Sequence, residues 1–161
     1  MNDETFFNVY DESVVCHDKI WKLMSEFRDA SKDGIEITSN EAEFYLDDVA
    51  KVMKNSVKLL VSKYSNEGDP RTMDPKLYAY CIGVDETISS LSEFKEFTVT
   101  SGPVIDDMDG FLKKVSDIGM KFLSVQEQFV DENAPTDVRE QLLVKVDDRR
   151  ASIRVEDSTT K

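Results

Sequence analysis

The sequence predicts an all-α protein, an up-and-down bundle of four long helices plus a shorter C-terminal helix. Four stretches repeat apolar residues at steps of three and four, a spacing that puts side chains on one face of a helix. Residues typical of helix ends border these stretches, and the connections are short, so consecutive helices are expected to be antiparallel neighbours. We expect a single domain over residues 1–155 and a flexible C-terminal tail over residues 156–161.

The first helix is expected over residues 5–31, and it carries apolar side chains on more than one face. A helix that is apolar on two sides buries both. An internal position, a partner's groove or a second copy of the chain explains this equally well. Gly34 follows the helix at the point where a left-handed residue commonly ends one. The apolar residues concerned are Phe6, Phe7, Val9, Tyr10, Val14, Val15 and Trp21.

The second helix, expected over residues 38–65, has the most regular stripe. Thr38 followed by Glu41 has the spacing of a capping box. Acidic residues come first and lysines later, which complements the helix macrodipole, and Asp47 with Lys51 is a favourable pair four residues apart. The stripe consists of Ala42, Leu46, Val49, Met53, Val57, Leu60 and Tyr64.

Three further helices are expected from Pro75 onward. Asp74 and Pro75 are typical of an N-cap and first helical residue, and the third helix is expected to end near Phe97. Residues 98–103 are predicted to be an extended linker, followed by helices over residues 104–133 and 138–153. Gly119 lies on the apolar stripe of the fourth helix. There it either admits a neighbouring helix or weakens its own by about 1 kcal/mol.

The charge of the chain limits its partners. Its 33 acidic and 20 basic residues give a net charge of −13. Such a charge repels polyanions, so direct binding of nucleic acid and of anionic membranes is not expected. A protein partner with a basic surface fits better. No stretch approaches the length of about 20 apolar residues that a membrane span needs. The acidic N-terminus does not resemble a secretory signal.

Cys16 and Cys81 are the only cysteines, and they have neither a C-x-x-C nor a zinc spacing. Each falls within a helical pattern, which favours reduced thiols in a cytoplasmic protein over a disulfide between them.

No residue pattern indicates catalysis or a cofactor. His17 is the only histidine, and its neighbour Cys16 points about 100° away on a helix, so the two cannot act together. An acidic run, Asp106, Asp107 and Asp109, lacks the outer ligands of a calcium loop. These carboxylates are better explained as compensating the dipole in the first turn of a helix. We therefore expect no bound metal and a non-enzymatic protein.

An all-helical, metal-dependent hydrolase is the third alternative. Glu93 and Glu96 have a spacing that can hold Mg²⁺ in such enzymes, but a second acidic pair is needed on a facing helix. Glu127 with Asp131 is the nearest candidate, and its spacing differs by one residue. A solvated helix face explains both pairs more simply.

Basic residues form two clusters, one of Lys51, Lys54 and Lys58 and one of Arg149, Arg150 and Arg154. They make the charge uneven along the chain. Ordinary salt-bridge patterning explains this unevenness, and the alternative is that the acidic outer face of the first and fourth helices meets a basic partner. The residues predicted to bind this partner are Tyr10, Trp21, Asp47, Asp48, Asp106, Asp107 and Asp109.

The leading functional hypothesis is an acidic protein-interaction module: an adaptor, an inhibitor or a regulator that mimics nucleic acid. The alternative is a self-assembling subunit of a ring or another oligomer. For this alternative, residues 40–97 form two helices joined by the turn Gly68-Asp69-Pro70-Arg71, and this hairpin resembles the small terminase subunits of tailed phages. The resemblance implies a ring-forming viral assembly factor, and the fourth helix is not part of that pattern.

Overall fold

The computed structural model describes residues 1–155, and over these residues the chain is an all-α bundle, as predicted. The predicted tail, residues 156–161, lies outside the described residues. The helices are α1 (Asp3–Lys32), α2 (Ser39–Tyr64), α3 (Pro75–Thr100), α4 (Met108–Asn133) and the shorter α5 (Arg139–Ile153). One 3₁₀ turn, Pro70–Thr72, precedes α3.

The four long helices pack as an up-and-down bundle. Each contacts its neighbours in the chain, and α1 also contacts α4, which closes the bundle. Helix α5 folds back along α4 and touches α1. No helix within residues 1–155 is long and apolar enough to cross a membrane.

The predicted helix ends are confirmed at three sites. After α1, Gly34 has a φ of +69°. Its amide and that of Ile35 donate to carbonyls of the last turn at 3.2 and 2.9 Å, which is a Schellman motif. The Thr38 hydroxyl accepts from the Glu41 amide at 3.1 Å. The Asp74 carboxylate accepts from the Lys76 amide at 2.9 Å. These local bonds satisfy backbone groups that a helix leaves unpaired at its ends.

The predicted boundary between the third and fourth helices is wrong on both sides. Helix α3 continues through Thr98, which is buried, to Thr100, and α4 begins only at Met108. The segment between them is held against the α1–α2 connection, because Ile105 donates to the Ile37 carbonyl and Ser39 to that of Pro103, both at 2.9 Å. This tertiary pairing fixes the linker where local sequence preference does not.

Aromatic contacts fill both ends of the core. At one end, the Phe129 ring centroid lies 5.4 Å from that of Phe6 and 5.2 Å from that of Tyr80. At the other, Phe111 lies 5.3 Å from Phe27 and 5.2 Å from Phe94. Each buried aromatic ring contributes about 1.5–3 kcal/mol through the hydrophobic effect. The second cluster also supports the candidate site.

Two glycines bring helices close together. A Cβ atom on Gly83 of α3 would lie 2.8 Å from both methyl groups of Val125 in α4. A Cβ atom on Gly119 of α4 would lie 2.6 Å from the Ile153 Cδ1 of α5 and 3.1 Å from the Ile20 Cγ2 of α1. The prediction that Gly119 admits a neighbouring helix is therefore confirmed.

Candidate functional site

A groove of about 860 Å³ lies between the C-terminal half of α3 and the N-terminal half of α4, and we call it the acidic groove. Its apolar lining includes Phe94, Phe97, Val104, Ile105, Phe111 and Ile118. Four carboxylates and two amines line it as well: Glu93, Asp106, Asp107, Asp117, Lys114 and Lys121. An apolar surface bordered by charge is typical of a protein-binding site.

Phe97 gives the acidic groove an exposed aromatic side chain. Phe94, one turn earlier on α3, is buried against Phe111, whereas Phe97 is 66% exposed. A large aromatic ring held on a rigid helix loses little conformational entropy when a partner covers it. Such rings contribute most to binding at protein interfaces. Phe97 is therefore the most accessible of the apolar side chains named in the groove.

The predicted acidic residues of this region are divided between a cap and the groove. Asp107 is the N-cap of α4, and its carboxylate accepts from the Gly110 amide at 2.9 Å. Asp109 lies in the first helical turn, so dipole compensation describes both residues. Asp106 precedes the helix, contrary to the expectation that all three lie in its first turn. Asp106 and Asp107 line the acidic groove.

Asp47 and Asp48 lie elsewhere, on α2, and each forms an ion pair with a different neighbouring helix. The Asp47 carboxylate is 3.0 Å from the Lys95 amine of α3, and that of Asp48 is 3.1 Å from the Lys19 amine of α1. Asp47 thus pairs between helices, and not with Lys51 along its own helix. Neither residue lines the acidic groove, so the seven predicted residues do not form one surface.

Tyr10 and Trp21 differ in accessibility. Tyr10 is buried, and its hydroxyl accepts from the Arg149 guanidinium at 2.9 Å. A partner could reach it only if α5 moved away. Trp21 is 47% exposed. On the same helix Phe7 and Val15 are also exposed, whereas Phe6 and Val9 are fully buried. The excess apolar surface of α1 is therefore partly internal and partly open to solvent.

The two basic clusters have different surroundings. Arg149 and Arg150 hold α5 in place, since Arg149 contacts Tyr10 and Gln126, and Arg150 pairs with Glu127 and Asp147. In contrast, Lys51, Lys54 and Lys58 line a second groove of about 1080 Å³ between α2 and α3. Lys95, Asp47, Glu67 and Asp85 also line it, and burial raises the pKa of Asp85. Its charges are mixed in sign.

Within residues 1–155, no three His, Cys, Asp or Glu side chains lie close enough together to hold a metal ion. The hydrolase alternative based on Glu93 and Glu96 thus has no metal-binding cluster in that range.

Cys16 and Cys81 are buried free thiols, and burial raises the pKa of each to about 12. A protonated thiol is a poor nucleophile and a poor metal ligand.

His17 is buried without a hydrogen bond to either ring nitrogen. Burial lowers its pKa, the nearby Arg149 charge lowers it further, and Asp18 opposes both effects. The Asp18 carboxylate lies 3.7 Å from the His17 Nδ1, which is beyond hydrogen-bonding distance.

Sequence reasoning missed the acidic groove and Phe97. The signal was present, because Phe97 lies three residues after Phe94, in a segment whose apolar residues continue to Val99. The sequence predicts the end of the helix near Phe97, and it does not indicate that Phe97 and Glu93, four residues apart on one face of α3, line a groove. The comparisons add no relative to this picture: neither the protein-family models, nor the curated proteins, nor the solved structures include a match to this chain.

Proposed function

We propose that this protein is a non-enzymatic interaction module that binds a basic surface of a macromolecular partner. The observation that carries the proposal is the acidic groove, in which the exposed ring of Phe97 lies beside Asp106, Asp107 and Glu93. A partner that buries apolar side chains there and places lysine or arginine at the border satisfies both features of the groove. The net charge of −13 adds long-range attraction for such a partner.

Buried apolar side chains give affinity, and charges at the border give partner choice and association rate. In a cell the protein would act as an adaptor, or as an inhibitor that covers the nucleic-acid-binding surface of its partner. A cytoplasmic location accords with its free thiols.

The test is affinity capture with the full chain and two matched variants. Phe97→Ser removes the aromatic anchor from the acidic groove. Phe44→Ser is the control, because Phe44 is 70% exposed on α2 and does not line this groove. We expect the wild type and Phe44→Ser to retain the same partner, and Phe97→Ser to lose it.

Salt distinguishes the charged part of the interaction. The affinity for the captured partner should fall steeply between about 0.05 and 0.5 M salt. Added salt shortens the Debye length and so weakens the attraction between exposed charges at the border of the groove. Asp106→Asn should weaken binding and flatten this dependence. Equal capture by Phe97→Ser and wild type, together with an affinity unaffected by salt, would refute the proposal.

Self-association is the second candidate, and the exposure of Phe7, Val15 and Trp21 on α1 favours it. Light scattering at micromolar concentration decides it. A mass of 18.4 kDa, that of one chain, argues against an oligomer. A higher mass that Trp21→Glu reduces to this value supports one.

A further inference from the structure

The acidic groove has a direction along its length. Helices α3 and α4 run antiparallel, so the last residues of α3 lie beside the first residues of α4. From Asp107 to Lys121 the groove extends for about 21 Å along α4, at a rise of about 1.5 Å per residue. That length matches a helical segment of about 14 residues. A groove between two helices is a common site for an amphipathic helix.

One end of the groove is negative. Asp106 and Asp107 lie there, and Asp109 follows on the first turn of α4. The C-terminus of α3 lies at the same end, and its last turn has no basic residue to offset the partial negative charge of its carbonyl groups. The Asp107 cap offsets the opposite partial charge of the α4 N-terminus. Negative charge therefore prevails at this end.

The middle of the groove is mixed, and the other end is positive. Glu93, Lys114 and Asp117 lie in the middle, and Asp117 is 3.8 Å from Lys113, its partner on the same helix. Lys121 occupies the far end, where its amine donates to the Ser90 hydroxyl at 3.3 Å. A hydroxyl is neutral, so this bond does not offset the positive charge of the amine.

We infer that the acidic groove binds an amphipathic helix of the partner in one direction, parallel to α4, with a basic N-terminal half over Asp106 and Asp107 and an acidic C-terminal half near Lys121. The inference rests on the proposed function and adds the form and orientation of the partner segment. The macrodipole of the bound helix favours the same direction, since its positive end meets the acidic end of the groove. Apolar side chains at helical spacing would cover the exposed ring of Phe97.

Two designed peptides of about 15 residues and identical composition test the direction. Both carry leucines at helical spacing and a covalent staple that keeps them equally helical, because lysines at a helix N-terminus and glutamates at its C-terminus otherwise oppose the helix's own macrodipole. The first has lysines in its N-terminal half and glutamates in its C-terminal half, and the second has this order reversed. In fluorescence anisotropy at low salt, we expect the first peptide to bind about tenfold more tightly, as several partly exposed charge pairs together would provide.

Protein variants locate the site. Phe97→Ser should weaken both peptides, and Phe44→Ser neither. Lys121→Glu should remove most of the preference between the peptides, because it makes both ends of the groove negative. A nitroxide label on the N-terminus of the first peptide should broaden NMR signals near Asp106, and a label on its C-terminus those near Lys121.

Equal affinities of the two peptides, or failure of both to bind, would overturn the directional inference. Binding of both unaffected by Phe97→Ser would overturn it too, because the helix would then lie on another surface. None of these results contradicts the proposed function, which depends on capture of the natural partner by wild type and its loss with Phe97→Ser.

Discussion

Arg149 of α5 donates to the hydroxyl of Tyr10 in α1 at 2.9 Å, and its guanidinium carbon lies 5.4 Å from the centroid of the same ring. The other arm of Arg149 donates to the side-chain oxygen of Gln126 in α4 at 3.1 Å. One side chain thus connects three helices. It also explains why Tyr10, which the sequence marks as a partner-binding residue, lies inside the protein.

Removing the Arg149–Tyr10 contact should destabilise the protein measurably. Arg149→Met keeps much of the aliphatic length but removes hydrogen bonds to two buried groups, so we expect the free energy of unfolding to fall by about 1–3 kcal/mol. Tyr10→Phe should cost about 1 kcal/mol, since it removes one bond and keeps the ring. Urea unfolding of both variants and of the double variant gives the coupling energy, which we expect to be about 1 kcal/mol.

Arg154→Met is the matched control for this arginine. Its side chain is exposed, and its backbone carbonyl, which the substitution leaves in place, accepts from the Arg28 guanidinium. A surface substitution of this kind should change stability by less than about 0.5 kcal/mol. Equal effects of the two arginine substitutions would mean that the Arg149 bonds do not hold α5 in place.

His17 should make the protein less stable as pH falls below about 6.5. Burial is the main cause of its lowered pKa in the folded protein. An unfolded histidine has a pKa near 6.5, so the unfolded chain binds more protons below that pH and the free energy of unfolding falls. The slope contributed by one such group is at most about 1.4 kcal/mol per pH unit.

The variant His17→Met isolates this effect, because the chain has one histidine. Urea unfolding at pH 7.5, 6.5 and 5.5 should show a smaller decrease for the variant than for wild type. At pH 7.5 the variant should be as stable as wild type or more so, since it replaces a buried imidazole that has no hydrogen-bond partner. Parallel pH profiles would show that His17 does not titrate as its burial implies.

The helices and most of their ends could be predicted from sequence, because they depend on interactions local in the chain. The Thr38 cap joins residues three apart, and the Gly34 motif joins residues five or fewer apart. The linker between α3 and α4 could not be predicted, because Ile105 and Ser39 bond to groups more than 60 residues away. Local preference alone favoured an extended segment that started too early.

The candidate site could be predicted only in part. The Asp106 and Asp107 pair stands out in the sequence as negative charge, and both line the groove. Their position beside Phe97 depends on the antiparallel packing of α3 and α4, which the stripes imply but do not place in register. Tyr10 shows the opposite error, because the sequence did not reveal that Arg149, 139 residues away, covers its hydroxyl.

Alanine at the two close-approach glycines should have different effects. At Gly83, a Cβ atom meets both methyl groups of Val125, which are fixed directly to its Cβ. We expect Gly83→Ala to cost about 1–2 kcal/mol, because overpacking outweighs the helix propensity of alanine. At Gly119 the nearest atom is the end of the flexible Ile153 side chain, so Gly119→Ala should cost less.

A second substitution checks the cause. Val125→Ala should rescue Gly83→Ala, so that the double variant is more stable than the sum of the two single effects predicts. Additive effects, or a larger loss for Gly119→Ala than for Gly83→Ala, would contradict the assignment of the cost to the Val125 methyl groups.

The two thiols should be unreactive in the folded protein and reactive in the unfolded chain. Cys16 and Cys81 are buried, and burial raises the pKa of each to about 12, so both stay protonated at pH 8. Unfolded cysteines have a pKa near 8.5 and react as thiolates. A thiol-specific reagent at pH 8 should therefore count about none in buffer and two in denaturant. The same raised pKa means that folding stability is lost as pH rises above about 8.5, because the unfolded chain then releases protons that the folded protein keeps. Rapid labelling of either thiol in buffer, checked with Cys16→Ala to identify which one reacts, would show that its helix opens or that its burial is incomplete.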